Sequence, residues 1–177
     1  MYFSQFEQGY YDLKGDGKEK LVTDLMTRVK VREKVINEMS LYDKYDVPSG
    51  ERPEDTAFKH FGSAEYHWVV LLTNNITDAY YDWPMSEQDF ETFLIDKYAE
   101  PGAIHHYEVT QSSGKTTASG PDDYSYLVEV NSDATGAQSV SNREYEQRLQ
   151  DEKRQINLLN PSYLNTFIEE FDKLVRN

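Results

Sequence analysis

The sequence contains no cysteine, and this absence excludes disulfide bonds and thiolate metal sites. It also has no run of the ~20 apolar residues that a membrane-spanning helix needs. Residues 1–10 lack the basic start and apolar stretch of a secretory signal peptide. We therefore predict a protein that is synthesised in the cytoplasm and does not insert into a membrane.

Positive charge is scarce. The chain has 18 Lys and Arg residues against 32 Asp and Glu residues, which gives a formal net charge of −14. A protein binds the phosphate backbone mainly through cations that displace condensed counterions, so this balance argues against a nucleic-acid partner. The same charge favours solubility and suits a basic surface on a partner protein.

Motifs that carry chemistry are also lacking. We find no P-loop, no glycine-rich dinucleotide fingerprint, no GxSxG elbow and no HExxH pair. His105 and His106 are adjacent, but neighbours along a regular strand point to opposite faces, so we do not expect them to share a metal ion. No carboxylate stands out as a general acid among so many. We predict no catalytic residue, no cofactor and no metal site, and hence a protein that is not an enzyme.

Aromatic residues are what the chain does have, with 14 Tyr, 8 Phe and 2 Trp. Aromatic side chains supply large, rigid contact area, and they dominate the energetic centres of protein interfaces. A tyrosine-rich core would give the same composition. The composition alone therefore leaves interface and packing roles open.

The middle of the chain gives the clearest local signals. Pro53 stands at a good first helical position, and two carboxylates follow it in the first turn, where the helix dipole favours them. Gly62 suits the left-handed turn that ends this helix. Ser63 is then placed to cap a second helix over residues 64–73, and Asn75 tolerates its terminal turn.

The remaining segments predict a mixed α+β fold. Residues 1–13 suggest an extended aromatic arm, and the apolar positions of residues 21–45 fit both helix and strand spacing in places. Further predicted elements are a third helix after Ser86, paired strands over 104–109 and 124–130, a charged helix over 141–159, and a final amphipathic helix after Pro161.

A resemblance to a known family rests on one run of residues. This run comprises Tyr45-Asp46-Val47, residues 50–57 (GERPEDTA), Phe61-Gly62, Tyr66, Trp68, Leu71-Leu72, Asn74-Asn75-Ile76 and Asp82-Trp83-Pro84. It resembles the small baseplate wedge proteins of contractile-tailed, T-even-type bacteriophages, and its first part resembles the strand-helix-helix core of a LysM-like module.

The resemblance implies four regions. They are an N-terminal arm and connecting segment (1–41), the LysM-like module (42–98), a β-hairpin region (99–138) and a C-terminal helical segment (139–177). It also implies a structural virion subunit of the tail baseplate, present in multiple copies per particle, that assembles in the host cytoplasm and joins other baseplate wedge and tail proteins.

Residues that define the module or form its interfaces follow from this resemblance and from the aromatic pattern. We expect Trp68 to pack in the core, and we leave Tyr66, Tyr80, Tyr81 and Trp83 between packing and interface use. For Arg52 we favour pairing with a carboxylate of the same chain over pairing with one across a subunit boundary. The full set is Arg52, Pro53, Gly62, Tyr66, Trp68, Asn75, Tyr80, Tyr81, Trp83, Phe167 and Phe171.

Two other functions stay open at this point. The module could bind peptidoglycan or chitin-type glycans as LysM domains do, although the chain lacks their usual Pro-Gly-Gln start of the second strand and inserts residues 86–98. We therefore do not expect glycan binding. Hydrolysis of cell wall by a carboxylate pair is the third hypothesis.

Overall fold

The computed structural model describes residues 6–25, 29–36 and 38–176 of the chain. Its contacts divide the chain into two compact units, Met1–Pro84 with Lys153–Asn177 (unit 1) and Met85–Glu152 (unit 2). In chain order the elements are β1 (Gln8–Tyr11), β2 (Lys20–Thr23), α1 (Glu33–Ile36), β3 (Tyr42–Asp46), α2 (Pro53–Phe61), α3 (His67–Thr73), α4 (Glu87–Lys97), β4 (Ile104–Gln111), β5 (Gly114–Lys115), β6 (Asp122–Asp123), β7 (Tyr126–Val130), β8 (Gln138–Ser141), α5 (Asn142–Arg154), β9 (Gln155–Leu159) and α6 (Leu164–Val175). The predicted α+β class is confirmed.

The aromatic arm of the prediction is a hairpin. Strands β1 and β2 pair antiparallel, from Gln8 opposite Thr23 to Tyr11 opposite Lys20. Asp12 organises the connection, because its carboxylate accepts backbone N–H bonds from Gly15 at 2.8 Å and Gly17 at 2.7 Å. Residues 1–5 of the predicted arm lie outside the described residues.

Helix α2 begins and ends as its sequence predicts. Pro53 occupies its first turn, and the Asp55 carboxylate accepts the backbone N–H of Arg52 at 3.2 Å. Gly62 ends the helix with φ of 80°, and its N–H bonds to the carbonyl of Phe58 at 2.9 Å. Glycine adopts this left-handed conformation without the steric cost that a Cβ brings.

The second predicted helix is divided into a short and a longer piece. The Ser63 hydroxyl accepts the N–H of Glu65, and a 3-10 turn over Ala64–Tyr66 precedes helix α3. Asn75, beyond its end, has φ of 54°. The predicted cap and the predicted terminal turn are therefore confirmed, although regular α-helix starts only at His67.

Strand β9 corrects the prediction of one charged helix over 141–159. Helix α5 ends at Arg154, and the next five residues pair antiparallel with β3, from Tyr42 opposite Leu159 to Asp46 opposite Gln155. Ile156 and Leu158 are buried at 4% and 2% exposure. Their period-two burial favours a strand, and pairing with a distant segment overrides the local helical pattern.

The core of unit 1 forms on both sides of helix α3. Trp68 and Val69 belong to one buried cluster, with these other members: Phe6, Leu159, Leu164, Phe171 and Val175. Val70 belongs to a second buried cluster, with these other members: Val47, Ala57, Trp83, Ile156 and Leu158. A helix that is apolar around most of its surface is expected in such a central position.

Unit 2 contains helix α4, a three-stranded antiparallel sheet in the order β7-β4-β8 and most of helix α5. The Ser86 hydroxyl accepts the N–H of Asp89 and caps α4, as predicted. The predicted pairing of the two strands is confirmed as β4 with β7, whereas β8 is an additional strand that the sequence did not reveal. Ser141 and Glu144 form the predicted capping box of α5.

Buried carboxylates stabilise unit 2 through hydrogen-bonded ion pairs. Glu146 on α5, 3% exposed, accepts bonds from Lys97 Nζ and Tyr98 Oη, each at 2.7 Å. Arg148, also on α5, donates two bonds to Glu108 on β4 at 2.8 and 2.9 Å. These contacts attach α5 to α4 and to the sheet. A buried carboxylate needs such partners, since an unpaired buried charge is costly.

Candidate interaction surface

The amphipathic helix α6 packs within unit 1. Phe171 is 2% exposed, and its ring lies 4.7 Å from that of Trp68, centroid to centroid. Phe167 is half-buried, and its ring lies 6.3 Å from that of Trp68. The structure thus brings three of the predicted residues together as one aromatic cluster, with Phe171 inside the core and Phe167 at its edge.

An apolar groove of about 640 Å³ lies beside this cluster, between residues 29–35 and helix α6. Its lining includes Leu72, Leu159 and both phenylalanines of the cluster. Large apolar side chains at its margin are exposed, with Val35 at 40%, Tyr163 at 44% and Leu174 at 59%. Exposed apolar surface that continues into a core is typical of a site that contacts another protein.

Tyr42 adds an unsatisfied polar group to the groove lining. Within the described part of the chain, its buried hydroxyl has no hydrogen-bond partner. Burial raises the pKa of this tyrosine above its ordinary value. The hydroxyl therefore stays neutral, and a buried group of this kind costs free energy until it finds a partner.

Cations lie along the groove. Lys30 and Arg32 are exposed lining residues, and neither belongs to an ion pair among residues 6–25, 29–36 and 38–176. Glu170 on the opposite side is paired with Lys173 at 2.8 Å. In a chain with a net charge of −14, two cations beside an apolar groove form a local basic margin.

Glu51 fixes the loop that leads into helix α2. It is 8% exposed and accepts hydrogen bonds from Tyr45 Oη at 3.0 Å, Thr56 Oγ1 at 2.8 Å and Lys59 Nζ at 2.6 Å. Burial acts to raise the pKa of Glu51, but these bonds outweigh it and hold the pKa below its ordinary value. The Glu51 backbone carbonyl accepts the indole N–H of Trp83 at 2.8 Å.

The other predicted aromatic residues fall into two groups. Trp83 is 6% exposed within the second core cluster, and Tyr66 is half-buried with its ring 6.1 Å from that of Phe61. Tyr80 and Tyr81 are 80% and 64% exposed. Their rings meet edge to face at 4.9 Å, so they form a separate aromatic projection on unit 1.

Arg52 does not show the internal ion pair that we favoured. Its side chain is exposed, and none of the ion pairs in the described ranges includes it. The neighbouring Glu51 forms an ion pair with Lys59 instead. Pro53, Gly62 and Asn75 act through their backbone conformations, as described above.

The sequence predicts Asn74 only as part of a helix end and does not reveal its contacts. Its side-chain amide donates to the Asn157 carbonyl at 2.9 Å and accepts the Asn157 N–H at 2.8 Å. His60 on α2 bonds through Nε2 to the carbonyl of Leu159 at 2.9 Å. Side chains from α2 and from the residue that follows α3 thus hold strand β9, and Leu159 of this strand lines the groove.

Two further structural features concern membrane insertion and metal binding. No helix within the described residues is both long and apolar enough to cross a lipid bilayer. In the same ranges, no group of three or more His, Cys, Asp or Glu side chains is placed to hold a metal ion.

Comparison with known proteins gives two matches. The family described as "Base plate wedge protein 53" matches residues 1–117. The baseplate wedge protein gp53 of Enterobacteria phage T4 is 33% identical over 58 residues, which cover 33% of this chain and 30% of the phage T4 protein. The aligned segment is thus less than a third of that relative.

Proposed function

Because this chain belongs to the base plate wedge protein 53 family, we propose that it joins neighbouring wedge subunits during assembly of a phage tail baseplate. The family places the protein among the structural components of the tail baseplate. Our proposal adds that it is present in multiple copies per contractile tail, that it assembles in the host cytoplasm, and that its partners are other wedge and tail proteins.

The groove beside α6 carries this proposal. We assign it one occupant, an apolar segment of a neighbouring wedge protein that also bears a carboxylate. Exposed Val35 and Leu174 supply apolar contact, and the lining residues Lys30 and Arg32 supply positive charge for the carboxylate. Aliphatic and aromatic contact of this kind gives affinity, whereas charge at the margin mainly sets specificity and association rate.

The LysM-like module remains part of the proposal. Unit 1 contains β3, α2, α3 and β9 in this chain order, with the residues of unit 2 between α3 and β9. This gives the order strand, helix, helix and strand, and the two strands pair antiparallel. This order of elements supports the resemblance to a LysM-like module. The second strand comes from residues 155–159, however, outside the range 42–98 that the resemblance assigned to the module.

We also propose that the protein has no enzymatic activity. Among the residues whose burial the structure describes, the buried carboxylates are Glu51, Glu108 and Glu146, and each is paired with a Lys or Arg. These contacts lower the pKa of all three groups. A carboxyl that acts as general acid near neutral pH needs the opposite shift.

The experiment is co-expression of the protein with the other baseplate wedge proteins of the same phage, followed by size-exclusion chromatography. Leu174→Glu should remove the protein from the wedge complex, and Lys30→Glu with Arg32→Glu should weaken its retention in a salt-sensitive way. Ile95→Glu is the matched control, because Ile95 is 69% exposed on helix α4 of unit 2. Thermal melts establish that each variant is folded.

Two results would contradict the proposal. One is a folded Leu174→Glu protein that enters the complex as well as the unaltered protein does. The other is retention of the purified protein on cell wall, competed by chitooligosaccharide, without co-purification of wedge proteins. That second result would favour the glycan-binding alternative.

A further inference from the structure

His105 and His106 lie on the same side of strand β4, although they are neighbours in sequence. Ile104 pairs with Ser141 of β8, and His106 pairs with the adjacent Val140, so His105 is an extra residue on β4. Such a bulge changes the direction of a side chain that a regular strand would point to the other face. The two Nδ1 atoms are 2.8 Å apart, so the prediction that these rings point to opposite faces is wrong.

Each imidazole is oriented by a further residue. The His105 ring stacks on Tyr145 of helix α5, with 4.0 Å between centroids and 9° between planes. His106 has Nε2 3.7 Å from a Glu108 carboxylate oxygen. Arg148 fixes that carboxylate with two hydrogen bonds. A carboxylate behind one ring nitrogen is the usual support for a histidine that binds metal through the other nitrogen.

We propose that His105 and His106 bind one divalent transition-metal ion through their two Nδ1 atoms. In the metal-free pair, only one Nδ1 carries the hydrogen of the bond between them. The metal takes the place of this hydrogen, the displaced proton moves to Nε2 of the same ring, and both rings then carry their proton on Nε2. At His106 this tautomer directs N–H towards Glu108.

The spacing of the nitrogens selects among metals. With metal-to-nitrogen bonds of ~2.0 Å, two nitrogens 2.8 Å apart subtend about 90° at the ion. This angle suits adjacent positions of a square-planar or octahedral site, as Cu²⁺ and Ni²⁺ prefer, rather than a tetrahedral zinc site. The described residues offer no third ligand, so water occupies the remaining positions. With two imidazole ligands, we expect the binding affinity to decrease in the order Cu²⁺, Ni²⁺, Zn²⁺.

Calorimetric titration of the full-length, untagged protein with each metal salt alone tests this proposal. We expect one Cu²⁺ or Ni²⁺ per chain, with a visible absorption band from imidazole coordination. His105→Phe keeps a ring on Tyr145 but removes the ligand, and His106→Asn removes the other. Each should weaken binding by at least about tenfold, because even supporting residues outside the ligand shell cost about 10- to 100-fold.

His67→Gln is the matched control. His67 is a half-buried histidine of unit 1 whose Nδ1 bonds to the carbonyl of Ala64, and its replacement should leave metal binding unchanged. Unaltered affinity in folded His105→Phe and His106→Asn proteins would overturn the proposal. So would tetrahedral Zn²⁺ binding that is tighter than Cu²⁺ binding. Neither outcome bears on assembly of the wedge, which is measured separately.

Discussion

The side chain of Asn74 pairs with the backbone of Asn157 through two reciprocal hydrogen bonds, of 2.8 and 2.9 Å. The amide thus bonds to the backbone N–H and carbonyl of one residue of β9, as a neighbouring strand would. Asn74 lies just beyond α3, and Asn157 lies at the middle of β9. The contact therefore joins the central helix of unit 1 to the strand that completes its sheet.

Asn74→Ala should lower the free energy of unfolding by about 2–3 kcal/mol, because it leaves the N–H and carbonyl of Asn157 without partners in a half-buried position. Urea denaturation measures the change. Asn165→Ala, at an exposed position on α6, is the control and should have little effect. Equal effects of the two substitutions would show that the reciprocal pair adds no stability.

Phe171→Ala should destabilise the protein by about 3–5 kcal/mol, since it removes a buried ring from the Trp68 cluster. Leu174→Ala, one turn of helix closer to the C-terminus and 59% exposed, should change stability by no more than about 0.5 kcal/mol. Chemical denaturation distinguishes the two. A mild effect of Phe171→Ala would mean that this ring contributes mainly at an interface with another chain.

Gly62→Ala should cost about 1–2 kcal/mol for backbone strain alone, because φ is 80° and no atom lies within 4 Å of the place that a Cβ would take. Gly102→Ala is the matched control, with similar open space and no positive φ. There the substitution should be neutral or slightly stabilising, because alanine reduces the entropy of the unfolded chain. Thermal melts of both variants check the difference.

Acid should destabilise the protein below about pH 4.5, the ordinary pKa of a glutamate, because the folded protein holds the pKa of Glu51, Glu108 and Glu146 below that value. A lowered folded-state pKa gives stability that is present above the unfolded-state pKa and is lost as pH falls through the folded-state pKa. Urea midpoints measured between about pH 7 and about pH 3 follow this loss.

Lys97→Met provides the variant for this pH series. Without Lys97, Glu146 loses the partner that most lowers its pKa, whereas burial still acts to raise that pKa. The variant should be less stable than the unaltered protein at neutral pH, and its stability should fall less on acidification. A parallel pH dependence in the two proteins would show that the Lys97–Glu146 pair is not a source of the acid sensitivity.

Helix ends were the part of the fold that local chemistry predicted well. Pro53, Gly62, Ser63 and Ser86 act on backbone groups within a few residues of themselves, so their roles can be read from short stretches of sequence. The same holds for the alternation of strands β4 and β7. These helix ends and this alternation can be predicted without knowledge of residues elsewhere in the chain.

Features that depend on distant partners were missed. Residues 155–159 directly follow a charged helical pattern, and only pairing with β3 makes them a strand. The apolar face of α6 was recognisable, but its contact with Trp68 was not. The bulge at His105 depends on the pairing of β4 with β8, a strand that the sequence did not reveal. In each case tertiary contact overrides a local preference.

The pairing of β3 with β9 has a consequence for synthesis on the ribosome. Strand β3 leaves the exit tunnel early, but its partner emerges only after all of unit 2 has been made. Until then the backbone N–H and carbonyl groups along β3 lack their partner strand, and unpaired strand edges promote association between nascent chains. Unit 2, being continuous in sequence, has no such delay. We therefore expect a translation pause before residue 155 to prolong the period in which this chain depends on chaperones.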